Sequence, residues 1–236
     1  MQNLQNIAII PARKGSKGLP GKNIMKFCDK PLIYWTIKIA IESNIFDKII
    51  VSTDCKNIAE ISKTFGAEVP FLRPKYLATD TATSVDVAKH ALQFFKENGN
   101  TEFKNLTLLE PTSPLREKDD LKKMAEFLQQ NSKNFNALVS IGEVSENPAF
   151  LKNLLSDNKI EPLIRKISND GRRQDQKPAY FPYGVAYISK VSTFQKELTF
   201  YPSKTAGYVI KDYQCIEIDS RIDFICAEAI ARNYFL

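Results

Sequence analysis

The chain has few of the residues that build covalent or metal-centred frameworks. Its one histidine, His90, lies in a helical pattern with no second histidine or cysteine at ligand spacing. A histidine-based metal site is therefore excluded, and His90 reads as a surface or half-buried helix residue. The four cysteines, Cys28, Cys55, Cys215 and Cys226, lie far apart and never as C-x-x-C. Neither a disulfide framework nor a zinc knuckle fits that spacing, so free thiols are expected. Long apolar runs are also missing. The longest, such as Ile7 to Pro11, fall far short of a bilayer span, and the start lacks a basic-then-apolar leader. The reading is a soluble, cytoplasmic protein with no membrane partner. No Gly/Ser-rich or proline-rich tract and no internal repeat interrupts the sequence.

What is present is an ordinary globular balance, with 43% hydrophobic and 25% charged residues in a chain of 236. That length suits one α/β domain over 1–236 and is hard to divide into two. Short β-branched runs alternate with longer amphipathic stretches, the pattern of βαβ units around a mainly parallel sheet. Strands are expected at Ile7–Ile10, Lys48–Ser52, Glu68–Phe71, Leu106–Leu109, Ala137–Ile141, Val185–Ile188 and Gln214–Ile218. Helices are expected at Leu32–Ser43, Lys56–Phe65, Val85–Asn98, Lys118–Asn131 and Ile222–Asn233. The stretch 145–180 breaks this rhythm with Asn147-Pro148, Asp157-Asn158 and Asn169-Asp170-Gly171. It reads as an inserted lid, binding loop or interface arm, with a plain surface insertion as the alternative.

The formal net charge of +6 points to a polyanionic partner. Lys14, Lys17, Lys22, Lys26 and Lys30 crowd one short glycine-containing stretch rather than spreading along a helix among exposed aromatics. This favours a phosphate-rich small molecule over nucleic acid. After the Ile7–Ile10 strand comes Pro11-Ala12-Arg13-Lys14-Gly15-Ser16-Lys17-Gly18-Leu19-Pro20-Gly21-Lys22-Asn23. Glycines let the backbone approach an anion and adopt positive φ, while lysine and arginine neutralise phosphate charge. Two common motifs do not fit. The P-loop G-x-x-x-x-G-K-[ST] fails at Ser16 and Asn23, and G-x-G-x-x-G fails because the glycines stand at 15, 18 and 21.

The run Ile9 to Asn23 resembles the N-terminal signature of acylneuraminate cytidylyltransferases. Further segments agree in order along nearly the whole chain: Val51-Ser52-Thr53-Asp54, Arg73-Pro74 with Leu77 to Ser84, Glu110-Pro111-Thr112-Ser113-Pro114-Leu115-Arg116, Arg172-Arg173-Gln174, and Ile216 to Ser220 with Asp223. The resemblance implies a Rossmann-like three-layer nucleotidyltransferase fold. It also implies a reaction in which CTP activates a nine-carbon α-keto acid sugar, giving a CMP-sugar and pyrophosphate. By the same resemblance Arg13, Lys17, Lys22 and Asn23 hold the triphosphate, Arg73 and Ser84 contact the nucleoside, and Arg13, Lys22 and Asp219 are catalytic. The sugar side falls to Glu110, Arg173, Gln174 and Tyr187. The 145–180 stretch resembles the arm through which family members form homodimers.

Glu217 and Asp219 lie two apart on an expected strand, so their carboxylates share a face and suit Mg2+ held together with phosphate oxygens. The alternative is that Asp219 or Ser220 caps the helix that follows. Three positions depart from the family pattern: Glu217 where Asp is usual, Tyr183 where Asn is common, and Glu110 where Gln is usual. An amide donates and accepts whereas an ionised carboxylate only accepts, so Glu110 implies an atypical sugar such as a legionaminic relative. A nucleotidylyltransferase for an eight-carbon keto acid, or a non-catalytic nucleotide- or RNA-binding protein, remains open at this point.

Overall fold

A computed structural model describes residues 2–99, 101–164, 172 and 175–235. Six strands form the main sheet: β1 (Gln2–Pro11), β4 (Lys48–Ser52), β5 (Thr101–Leu108), β6 (Ala137–Glu143), β9 (Tyr180–Lys190) and β10 (Thr205–Val209). Their spatial order is β10-β6-β9-β5-β1-β4. β1 pairs in parallel with both β4 and β5, β10 pairs in parallel with β6, and β9 runs antiparallel between β5 and β6. The chain leaves β1 toward β4 and later returns to its other side as β5. The carboxyl end of β1 is therefore a switch point, the place where open α/β sheets take their ligands.

Alternation along β1 builds two layers of core. Ala8 and Ile10 face Ile33 and Ile37 of α1 (Leu32–Glu42), Ile58 of α2 (Lys56–Thr64), and Leu121, Met124 and Leu128 of α4 (Asp120–Gln130). Ile7 and Ile9 face Val87, Ala88, Ala91 and Leu92 of α3 (Ser84–Gly99) and Phe194 of α5 (Val191–Glu197). This is the expected three-layer α/β arrangement. A third cluster joins the short β2–β3 hairpin (Lys26–Phe27 and Lys30–Pro31) to α6 (Arg221–Tyr234) and takes in Leu115 and Ile218. Phe27 stands edge-on to Phe224 at 5.5 Å and to Trp35 at 6.3 Å.

Two expected strands are not formed. Glu68–Phe71 contributes only a single bridge, Ile50 to Glu68. Gln214–Ile218 is instead the end of a 3-10 turn over Asp212–Cys215 and an extended segment that pairs with no strand among the described residues, with Ile218 N–H donating to the Thr112 carbonyl at 2.8 Å. The stretch 145–180 leaves the main sheet, and its described part carries a small two-stranded sheet, β7 (Lys152–Leu154) with β8 (Ile160–Pro162). All four cysteines are free thiols. Among the described residues no helix is long and apolar enough to cross a membrane.

The third cluster braces the segments that flank the switch point from a distance. Phe27→Ala should cost about 3–5 kcal/mol in urea unfolding, the usual range for a buried phenylalanine. A loss below about 1 kcal/mol would show that this cluster does not support the fold.

Candidate active site

A cleft of about 400 Å³ opens at the carboxyl ends of β1 and β5, lined by Arg13, Lys17, Gly18, Lys22, Asn23, Arg73, Ser84, Glu110, Glu217 and Asp219 among others. The glycine-rich loop is anchored at its start. Ala12 N–H donates to the Ser52 carbonyl at 2.9 Å and Lys14 N–H to the Asp54 carboxylate at 2.8 Å. Asn23 is buried, and its amide closes the loop on the Arg13 carbonyl at 3.1 Å. Of the three loop glycines only Gly21 adopts positive φ, at 71°. Gly18 serves close approach instead, since a Cβ there would overlap the carbonyl oxygen of Asp219.

Every loop cation assigned to the triphosphate already faces a carboxylate. Asp80 accepts from Arg13 at 2.8 Å and from Lys17 at 2.9 Å. Those two ion pairs hold the Asp80 carboxyl below its ordinary range. Lys22 reaches the Asp219 carboxylate and the Ile218 carbonyl, each at 2.7 Å. Water screens the Asp80 pairs and reaches the exposed Asp219 carboxylate beside the mostly buried Lys22, so a triphosphate can exchange for these partners. Asp80 lies within the Leu77 to Ser84 run, yet no residue type or spacing marks it as a partner of the first loop.

Arg73 is 5% exposed, with its guanidinium donating to the Leu77 and Ser52 carbonyls. Burial lowers its pKa to about 10, so it remains a cation at neutral pH. Its Nε–H has no partner among the described residues. A buried donor beside the cleft in this state suits an acceptor on a ligand. Next to it α3 begins, where Thr83 and Asp86 exchange bonds as a cap: Thr83 N–H to Asp86 at 3.0 Å and Asp86 N–H to Thr83 Oγ1 at 3.2 Å. Ser84 Oγ then lies 3.5 Å from Glu110 Oε1, at the outer limit of a hydrogen bond.

Glu110 leaves the end of β5 into the cleft. Burial, and after it the Glu217 carboxylate, push its pKa up, while Arg116 opposes the shift. Arg116 itself is 2% exposed, and its five N–H donors meet five acceptors. Nε binds the Val185 carbonyl at 2.6 Å. Nη1 binds Thr36 Oγ1 at 2.8 Å and the Ser113 carbonyl at 2.6 Å. Nη2 binds the carbonyls of Glu110 at 2.7 Å and Gly184 at 2.6 Å. Sequence reasoning quoted Arg116 as part of a motif but gave it no role.

Glu217 and Asp219 both reach the cleft although no strand carries them. Ile218 between them is fully buried in the third cluster, so alternation persists along the extended segment. Capping falls to the next residue: Ser220 Oγ accepts from Asp223 N–H, and Asp223 accepts from Ser220 N–H at 2.7 Å. Asp219 keeps its side chain 78% exposed at the cleft edge. Among the described residues no group of three or more metal-ligating side chains is gathered, so an ion here would depend on phosphate oxygens as well as carboxylates. Tyr187 is not among the cleft-lining residues. It sits in β9 against Phe200 and Tyr201, with its hydroxyl pKa raised by burial. Arg173 and Gln174 lie outside the described residues.

Comparison with known proteins shows the family to which the chain belongs. The profile of the cytidylyltransferase family matches residues 7–234. An N-acylneuraminate cytidylyltransferase of Streptococcus agalactiae serotype III is 38% identical over 224 residues, covering 94% of this chain and 52% of that protein. The chain thus spans about half the length of the streptococcal relatives it matches. A CMP-N,N'-diacetyllegionaminic acid synthase of Legionella pneumophila is 33% identical over 226 residues, with 95% of both chains covered. Among solved structures, a CMP:2-keto-3-deoxy-manno-octonic acid synthetase complexed with CTP superposes with a TM-score of 0.68 at 14% identity, covering 97% of this chain and 99% of that one. That last likeness concerns the fold alone. With the family profile matched over almost its whole length, the chain belongs to the cytidylyltransferase family.

Proposed function

We propose that this protein activates a nine-carbon α-keto acid sugar with CTP, releasing pyrophosphate and leaving a CMP-sugar. The observation that carries the reading is the cleft itself, where the basic glycine-rich loop, the buried Arg73 and the Glu217–Asp219 segment converge. Relatives named for N-acylneuraminate, diacetyllegionaminic acid and pseudaminic acid support the sugar class at 31–38% identity. The eight-carbon alternative has its support from a structural likeness at 14% identity, which is weaker. A non-catalytic nucleotide- or RNA-binding role gives no reason for carboxylates in the cleft. We read 1–236 as one nucleotidyltransferase unit acting in the cytosol, where free thiols are stable.

In this reading the sugar's anomeric hydroxyl attacks the α-phosphate and the bond to pyrophosphate breaks. Arg13, Lys17 and Lys22 exchange their carboxylate partners for phosphate oxygens and offset the charge that builds on the leaving group. Asn23 keeps the loop closed beneath them. Arg73 Nε–H and Ser84 meet the nucleoside. Asp219, with Glu217 beside it, is the carboxylate edge available to Mg2+, which when bound would neutralise phosphate charge and acidify the attacking hydroxyl. Arg173 and Gln174 keep the sugar-side roles that the family resemblance assigns, with Tyr187 as support behind the cleft.

Incubation with CTP, Mg2+ and a panel of keto acid sugars should release pyrophosphate with at least one nine-carbon acid, and Asp219→Asn should lower that rate by about 100-fold or more without loss of fold. Release with no nine-carbon acid would overturn the proposal, and near-normal turnover of the variant would remove Asp219 from the site. Glu110 in place of an amide should favour a sugar substituent that donates a hydrogen bond. Glu110→Gln is expected to change the ranking of sugars in the panel by about tenfold, and an unchanged ranking would refute that role.

We further propose a homodimer formed through the inserted arm. Leu154 and Ile160 of β7 and β8 are 72% and 67% exposed, and Phe181 at the start of β9 is 51% exposed. Apolar residues gathered on an arm in this way suit a protein partner. Sedimentation should give twice the 26.8 kDa chain mass, reduced to one chain by Leu154→Asp with Ile160→Asp. A monomeric wild type would contradict the proposal.

A further inference from the structure

β9 leaves its ladder beside the cleft. Its register against β6 shifts between Val139 and Ile141, whose partners are Tyr187 and Pro182. Ser140 alone stands opposite residues 183–186, and side chains bind this bulged backbone. Ser140 Oγ lies 2.5 Å from the Tyr183 carbonyl and 3.0 Å from the Ala186 carbonyl, either of which can take its one proton, and accepts from Ala186 N–H at 3.0 Å. Arg116 takes the carbonyls of Gly184 and Val185. Gly184 N–H donates to Glu217 Oε1 at 2.6 Å, and Ser113 Oγ donates to the same oxygen at 3.2 Å.

Gly184 cannot yield without disturbing the site. A Cβ placed on it would come within 2.8 Å of Glu110 Cβ, 2.8 Å of Glu217 Oε1 and 2.9 Å of Ser113 Oγ. Whatever holds Gly184 in place therefore sets where Glu110 stands. Arg116 grips this joint through carbonyls and Glu217 grips it through an amide and a hydroxyl, so the two contacts are complementary. An aspartate at 217 would fall short of Gly184 N–H by about 1.5 Å, one carbon–carbon bond. The length of the glutamate side chain is what makes the grip.

We propose that Glu217 is a positioning residue: its carboxylate fastens the β9 bulge at Gly184 to the Ser113 turn and so places Glu110 against the sugar, which leaves Asp219 as the protein ligand for a divalent ion. The inference rests on the cytidylyltransferase reading of the cleft. It narrows the pair of carboxylates in that reading to one ligand and one clamp.

Two substitutions separate clamp from ligand. Glu217→Gln keeps an acceptor at the same reach but loses the charge, whereas Glu217→Asp keeps the charge and loses the reach. For a clamp, Glu217→Gln should keep slow Gly184 amide exchange and a half-saturating Mg2+ within about threefold of wild type, whereas loss of a metal ligand would raise the Mg2+ requirement. Glu217→Asp should raise KM for the sugar about tenfold with KM for CTP unchanged. Amide exchange at Gly184 gives a readout independent of turnover, slow in wild type and Glu217→Gln and fast in Glu217→Asp. A Glu217→Gln variant with fast Gly184 exchange or a tenfold higher Mg2+ requirement, or a Glu217→Asp variant with wild-type exchange and sugar KM, would overturn the inference. Absence of turnover in the wild type would instead refute the cytidylyltransferase reading, and the exchange experiment would still decide the clamp.

Discussion

A guanidinium removed from water is destabilising by several kcal/mol unless each of its donors is met, and removal of its partners leaves an uncompensated buried charge. Arg116 satisfies that condition with the Thr36 hydroxyl and the carbonyls of Glu110, Ser113, Gly184 and Val185. Four of those five acceptors are backbone atoms, two in the turn after β5 that lines the cleft and two in the β9 bulge behind it. The turn after β5 and the bulge in β9 cannot separate without exposing the charge. The positions of Glu110, Ser113 and Gly184 follow from this one side chain, and the reach of Glu217 to Gly184 depends on it in turn. Its lowered pKa, about 10 through burial, still leaves the group charged at neutral pH, so the clamp does not titrate away in the physiological range.

The opposite wall is held more loosely. Arg13, Lys17 and Lys22 are fixed by ion pairs with Asp80 and Asp219 that are partly open to water. Such pairs hold long side chains in place while remaining easy to exchange. A rigid segment carrying carboxylates and a displaceable wall carrying cations would suit the proposed binding of a triphosphate and release of pyrophosphate. Asp80 belongs to the 77–84 segment, so its exchange for phosphate would also free that segment from the first loop.

Much of the architecture is legible in the sequence because the signals are local. The Ile7–Ile10 and Lys48–Ser52 runs, the helices ended by Gly66 and Gly99, and the glycine-rich loop each announce themselves within a dozen residues. The errors have physical causes. Gln214–Ile218 has strand-like composition, but Ile218 is drawn into the third cluster and its N–H goes to Thr112 rather than to a strand. Glu68–Phe71 has one neighbour to bridge and no more. Of the sequence-predicted residues, the structure brings Arg13, Lys17, Lys22, Asn23, Arg73, Ser84, Glu110, Glu217 and Asp219 to one cleft and sets Tyr187 behind it. Arg116, Asp80 and Gly184 acquire their parts through partners far away in the chain, which periodicity and spacing cannot report.

The most direct test of the site is a crystal structure with CTP and Mg2+ bound. The expected result has the triphosphate on Arg13, Lys17 and Lys22, with Asp80 and Asp219 displaced from those cations and an acceptor of the nucleoside on Arg73 Nε–H. CTP bound elsewhere, or bound with the Asp80 and Asp219 ion pairs intact, would contradict it.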